Sequence, residues 1–341
     1  MISIISFTHH YLLSILRNRL LHPFLGTLLV IVLAITCGCT GEMSDASPSQ
    51  AEIETPTALH FSGSCMTTKG SVLEIFSFEN DLLCRLDSYM RLEDFKGETA
   101  HISSTGGEKI IFICAEGHRT RNDWSMISSY SSLEKITCEL ENEDISHVTK
   151  TGTCILTAGC SSESIDLKPV CCEVRLASIN CDFSGTPYSK AVLRDVKVYL
   201  TNVSASCPML ENRKTPPTRI INTGMLNEYD LKKFKNPDII VQEVTDRLDR
   251  RTIYPGSRLL CYPNTSDTRI VIEGRIGQDT FYWPITLNNG NGITRNCSYT
   301  YNIRIRRKGV SDPDIPIEPE DAIINMIIKP WKEIDEYGVS F

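Results

Sequence analysis

The residues best placed for chemistry stand at the end of an apolar run. Arg17 and Arg19 precede a nearly unbroken apolar stretch from Phe24 to Ile35, and Thr36-Cys37-Gly38-Cys39 follows it. A thiol directly behind such a run, with a small residue before it, is what lipoprotein processing requires: the sulfur receives a diacylglycerol, and cleavage then frees the cysteine's amine. Cys39, preceded by Gly38, fits best, and Cys37 is the fallback. An ordinary signal with two incidental cysteines is the alternative. The run is about a dozen residues, against the roughly 20 that a membrane-spanning helix needs, so residues 1–38 read as a signal peptide. Residues 39–57, rich in Ser, Pro and acidic side chains, read as a flexible tether.

No other part of the chain assembles a reactive constellation. Once residues 1–38 are removed the histidines are His60, His101, His118 and His147, with no HExxH pair and no metal-ligand spacing, so no metal is assigned. There is no GxSxG elbow, phosphate-binding loop or dinucleotide fingerprint. Thr105-Gly106-Gly107-Glu108 reads as a hairpin turn. The acidic pairs Glu139/Glu141 and Asp312/Asp314 fall on a candidate helix and a spacer, and neither implies the cleft that glycoside hydrolysis needs. Trp283 and Trp331 suit stacking on a sugar ring, but each sits in an apolar strand pattern and reads as core. We therefore expect neither an enzyme nor a cofactor.

Charge narrows the partners. The net charge of -7 becomes -9 when Arg17 and Arg19 leave with the signal, and an acidic surface argues against nucleic acid. The 14 cysteines are about 4% of the chain, below the 8–10% of small disulfide-stapled domains. Cys171 and Cys172 are adjacent and would face opposite sides of a strand, while Cys114 ends the apolar run Ile110-Ile111-Phe112-Ile113 and reads as a small buried hydrophobe. Export would permit pairing, but spacing assigns no connectivity.

The elements that must position these residues are mostly strands. Leu73 to Phe78 and Val196 to Leu200 alternate with period two, and Lys109 to Cys114 is a buried run. Arg269 to Glu273, Phe281 to Leu287 and Tyr299 to Arg306 are separated by Gly274 to Gly277 and by Asn288-Asn289-Gly290-Asn291-Gly292, residues that accept positive φ. Tyr130 to Glu141 carries Leu133, Ile136, Thr137 and Leu140 at helical spacing and predicts a helix, and Asn227 to Lys235 predicts a short one. The pattern predicts an all-β chain of two sandwiches, 58–165 and 166–310, with the Ser-rich acidic stretch Gly159 to Lys168 as their boundary and Pro169 to Phe183 as a new long strand. In 311–341 a Pro/Asp spacer, Ser311 to Pro319, precedes the apolar segment Ala322 to Trp331. Such a strand either folds back on its own domain or pairs with another chain. Composition favours folding back, because a bare apolar strand is an aggregation hazard.

Taken in order, Ser71 to Tyr89, Asp195 to Leu210, Thr268 to Gly309, and the spacer followed by Ile323-Ile324-Asn325-Met326-Ile327-Ile328 resemble the fimbrillins, type V pilins of anaerobic Gram-negative bacteria. The resemblance implies two transthyretin-like β-sandwiches, export as an outer-membrane lipoprotein, and polymerisation with like subunits by donor-strand exchange at the cell surface. In that family a protease cutting after basic residues removes the first strand, and the groove accepts another subunit's terminal strand. On this chain the strand lost would be Ala58 to Ser62, and the donor would carry Ile323, Ile324, Met326, Ile327, Ile328 and Trp331. The cut would fall at Lys69-Gly70, where the family's arginine is missing. A subunit that kept its first strand would donate without accepting, as at a fimbrial tip. A monomeric surface lipoprotein that binds glycans or host proteins, with Trp283 on an exposed face, is the rival reading.

Overall fold

The structure is a computed structural model that describes residues 55–62, 71–116, 123–211, 219–254, 256–264 and 267–331. Both cysteines of the lipidation signal and Lys69 lie outside those residues. The described chain is all-β.

The first half supplies β1 (Thr55–Ser62), β2 (Ser71–Glu79), β3 (Leu86–Phe95), β4 (Thr99–Ser104), β5 (Lys109–Ala115), β6 (Thr137–Glu139), β7 (Lys150–Leu156), β8 (Ser162–Asp166) and β9 (Lys168–Pro169). Sheet β4-β1-β8 faces sheet β3-β2-β5-β7-β9 across one core, to which the first gives Leu59, Phe61, Ile102 and Ile165 and the second Leu73, Ile75, Ile111 and Ile113. The alternation in β2 predicts one wet face, yet β2 is buried on both. Leu73 and Ile75 enter this core while Phe76 and Phe78 enter a second, larger one.

The second half supplies β10 (Cys172–Cys181), β11 (Leu193–Thr201), β12 (Val203–Ser204), β13 (Ser206–Pro208), β14 (Ile220–Ile221), β15 (Val241–Leu248), β16 (Ser257–Cys261), β17 (Arg269–Ile276), β18 (Asp279–Thr286), β19 (Cys297–Ile305) and β20 (Ala322–Pro330). Sheet β16-β10-β19-β20 packs on sheet β15-β11-β17-β18, with Val174, Leu176, Tyr301 and Ile303 meeting Val196, Val198, Ile272 and Trp283 in the larger core. The turn chemistry after β18 is realised: Asn288, Asn289 and Gly290 all take positive φ. Gly309 is required by a close approach, since a Cβ there would lie 2.1 Å from the Tyr282 carbonyl oxygen.

Two expectations are corrected, and two further segments carry structure that their composition did not announce. The helix predicted over Tyr130 to Glu141 stops after one turn, α1 (Tyr130–Leu133), held by a Ser129/Ser132 capping box. Beyond it Ile136 and Thr137 are β-branched, and the backbone gains more by pairing β6 with β13 than by continuing the helix. The second predicted helix is found as α2 (Glu228–Leu231). Thr105 to Glu108 does not close a hairpin, because β4 and β5 belong to different sheets. The boundary stretch Gly159 to Lys168 contains β8, whose partner is β1 in parallel. The spacer is not a free leash: Val310 bridges Tyr282, and Asp314 accepts hydrogen bonds from Arg269 through its carbonyl at 2.9 Å and its carboxylate at 2.8 Å. No helix among the described residues is long and apolar enough to cross a membrane.

Candidate assembly site

The terminal apolar segment forms β20, antiparallel to β19 from Ala322↔Ile305 to Pro330↔Cys297. It is the last strand of its sheet, so its outer backbone edge has no strand beside it among the described residues. Period two divides its side chains. Ala322, Ile324, Met326 and Ile328 point to the core side, opposite the buried Ile305, Ile303, Tyr301 and Tyr299, whereas Ile323, Asn325, Ile327 and Lys329 point away. Ala322 and the following Trp331 are buried and pin the two ends. Between them Ile324 is 37% exposed and Ile328 43%, so the opposing sheet does not close over the core-side row. Ile323 and Ile327 on the other side are 41% and 49% exposed. An edge strand with exposed isoleucines on both faces is a template for pairing with another chain.

The second component is β1. It is the middle strand of its sheet, antiparallel to β4 on one side and parallel to β8 on the other. Thr57, Leu59 and Phe61 point inward and are buried, and Phe61 meets Phe95 edge-on at 5.8 Å between ring centroids. Pro56, His60 and Ser62 point to solvent. Taking β1 away would leave a slot one strand wide between β4 and β8, floored by Leu73, Ile75, Ile111 and Ile113 of the facing sheet. Sequence reasoning missed β8 as a wall of this slot. Only Ile165 of Ser162-Glu163-Ser164-Ile165-Asp166 is apolar, too weak an alternation to register as a strand. Beside it Cys154 is held as a neutral thiol, its pKa pushed up to about 12 by burial and then by Glu163 and Cys160.

The other sequence candidates do not join this site. His60 Nδ1 lies 2.9 Å from Thr99 Oγ1 on the solvent side, His101 is exposed, and His118 lies outside the described residues. Glu141 accepts from Arg219 at 2.9 Å. Trp283 has no exposed surface and donates its indole N–H to the Arg307 carbonyl at 3.2 Å, so it cannot offer a face to a sugar.

Two stacked-sheet halves with a terminal apolar strand on a sheet edge define an all-β fold that solved structures share. No protein-family model matches the chain, and no curated protein matches it in sequence. The fold matches fimbrilin FimA of Porphyromonas gingivalis W83, with a TM-score of 0.60 at 11% identity over 83% of this chain and 99% of that one. It equally matches a protein provisionally assigned to cell adhesion in Bacteroides eggerthii, TM-score 0.60 at 13% identity, covering 82% of this chain and 96% of that one. A protein with the same provisional assignment from Parabacteroides distasonis gives 0.58 at 15% identity, covering 83% and 99%. The chain has the fimbrillin fold.

Proposed function

We propose that this chain is a structural subunit of a cell-surface fimbrium, exported as a lipoprotein acylated at Cys39 and polymerised when β20 leaves its own sheet for the β1 slot of another subunit. The observation that carries this reading is β20 itself, backbone-paired along its length yet with isoleucines exposed on both faces. The patterns of donor and slot agree. Inward Thr57, Leu59 and Phe61 would be replaced by Ile324, Met326 and Ile328, and solvent-facing positions of β1 by a row containing Asn325 and Lys329. Backbone hydrogen bonds would supply affinity, and the alternate side chains specificity. The fold likeness to fimbrilin supports the fimbrial role, and the adhesion assignments of other proteins of like fold support a surface location.

Whether the subunit accepts a strand depends on a cut after Lys69, which would release β1. Purified residues 40–341 are incubated with a protease specific for Lys and Arg, and size and N-terminal sequence are followed. Cleavage at Lys69 that converts monomers into ladders, which a chain lacking 323–341 cannot form, is the expected result. A chain that stays monomeric with its N-terminus intact overturns the stalk reading and leaves a tip subunit or a monomeric adhesive lipoprotein.

A further inference from the structure

Lys109, Glu79 and Asp87 meet at one end of the first sandwich, between its sheets. Lys109 pairs with Glu79 where β5 runs beside β2, and both project to the face that carries Ile111, Ile113, Leu73 and Ile75. Asp87 reaches the same place through an irregularity. Ser88 of β3 faces Ser77 and Leu86 faces Phe78, so Asp87 between them is an extra residue without a partner on β2, a β-bulge of the kind that re-aims a side chain. It turns in over β2, where Ser77 Oγ donates to Asp87 Oδ2 at 3.4 Å. Thr105, in the loop that leaves β4 of the facing sheet, closes the group from the other side.

The Lys109 side chain has no exposed surface and that of Asp87 almost none, whereas Glu79 keeps 34% of its side chain in solvent. Lys109 Nζ donates to Glu79 Oε1 at 2.7 Å and to Thr105 Oγ1 at 2.6 Å. Thr105 Oγ1 in turn donates to Asp87 Oδ1 at 2.7 Å, and Nζ stands 3.5 Å from Asp87 Oδ2. Groups poised to react stand about 3–3.5 Å apart, and here the nitrogen is at the far end of that range from an oxygen on the carbon it would attack. The two carboxylates are not equivalent. Asp87 has a hydroxyl donor aimed at one oxygen, which is what an acyl carbon under attack needs. Glu79 holds the nitrogen by a hydrogen bond and opens to water, which suits it to carry protons.

We propose that Lys109 and Asp87 condense to an isopeptide bond that ties β5 to β3 across β2, with Glu79 as the proton carrier. The ammonium gives a proton to Glu79, and the freed amine attacks Cγ of Asp87 while the Thr105 hydroxyl supports the charge gathering on Oδ1. The nitrogen's second proton follows the first by way of Glu79 to Oδ2, which leaves as water through the side that Glu79 opens. One C–N bond forms and one C–O bond breaks. No oxidant, reductant or activating group is needed, and Glu79 ends as it began. Held side by side by the fold, the two groups escape the loss of translational freedom that opposes the same condensation between separate molecules. The product is neutral, so it does not bear the desolvation that burying an ammonium and a carboxylate costs. It also closes residues 87–109 into a loop and restricts the unfolded chain. The inference stands on this cluster and not on the fimbrial reading.

The test is a weighing. Purified residues 40–341 are shown to be folded by circular dichroism, reduced, and measured by mass spectrometry intact and after digestion with trypsin. The intact mass should fall short of the sequence mass by one water. Trypsin spares an acylated lysine, so the digest should contain residues 86–91 joined to an uncut 97–119. Glu79→Gln, which keeps an acceptor for Nζ but cannot carry the protons, should fold and retain its full sequence mass. Asp87→Asn should form the same bond with loss of one ammonia in place of water, an outcome that a site built only to pair charges does not give. Full sequence mass in the folded, unaltered chain overturns the proposal. So does loss of water with Lys109 still cleaved, as a cyclic imide at Asp87 would produce.

Discussion

At the scale of single residues, the polar groups buried in the first half carry information that the sequence pattern conceals. Lys109 opens an apolar run and is completely buried, but its ammonium reaches Glu79 Oε1 at 2.7 Å, Thr105 Oγ1 at 2.6 Å and Asp87 Oδ2 at 3.5 Å. That demand for acceptors fixes Thr105 in the loop between β4 and β5. Glu74 on β2 is less well supplied. Its Oε1 accepts from Arg91 Nη1 at 2.6 Å and from the Tyr89 hydroxyl at 3.4 Å, and the Trp124 indole N–H also lies against the carboxylate. Burial raises its pKa and outweighs the lowering by Arg91. The folded state therefore holds this proton more tightly than the unfolded chain does. The stability it contributes is full below the ordinary glutamate pKa and is lost as pH rises through the raised one. Glu74→Gln, which keeps an acceptor for Arg91 without the charge, should remove that fall and raise stability at pH 7. Urea midpoints of both proteins between pH 4 and 8 provide the check; parallel curves would refute it.

At the scale of elements, β20 makes the sharpest prediction because the proposed strand exchange would give its two faces different roles. Ile324→Asp and Ile328→Asp place a charge on the row assigned to the slot, whereas Ile323→Asp and Ile327→Asp place one on the solvent side. All four positions are exposed in the monomer, so each change should alter folding stability by no more than about 0.5–1 kcal/mol. Burying an isoleucine contributes about 1.5–3 kcal/mol, so each core-side substitution should weaken strand addition at least about tenfold while the solvent-side pair polymerises normally. Light scattering of protease-treated subunits reads the difference, and equal loss on both faces would overturn the register. The apolar segment behind its proline-rich spacer was legible in the sequence, as were β11, β17, β18 and β19, because period-two alternation and Asn/Gly turns are local signals. What was not legible depended on distant partners. β8 is a strand only because β1 lies beside it, and Ile136 to Glu139 leaves its helical pattern only because β13 offers a backbone to pair with. Composition already favoured the terminal strand folding back, but not that it docks on β19 with isoleucines exposed on both faces.

At the scale of the whole molecule, the two halves are joined through the segment where a helix was expected. Met209 N–H donates to the Ile136 carbonyl at 3.1 Å, and Leu140 N–H to the Ala205 carbonyl at 2.8 Å. Arg295 Nη2 reaches Thr151 Oγ1 at 2.6 Å, and the buried Tyr262 hydroxyl donates to Glu143 Oε1 at 2.8 Å. The larger core is continuous across this joint, since Phe76, Phe112 and Trp124 of the first half belong to the same cluster as Trp283 and Tyr301 of the second. Neither half can lose its structure without exposing apolar surface and buried polar groups of the other. The described chain should therefore unfold in one cooperative transition, with tryptophan fluorescence and far-ultraviolet circular dichroism coincident. Tyr262→Phe, which withdraws a donor from a buried carboxylate, should shift that single transition by about 1–3 kcal/mol without splitting it. Two separated transitions in the unaltered protein would show that the sandwiches are energetically independent. Under the proposed exchange, a strand received by the first half would then have no means of steadying the second half, which would give the next strand.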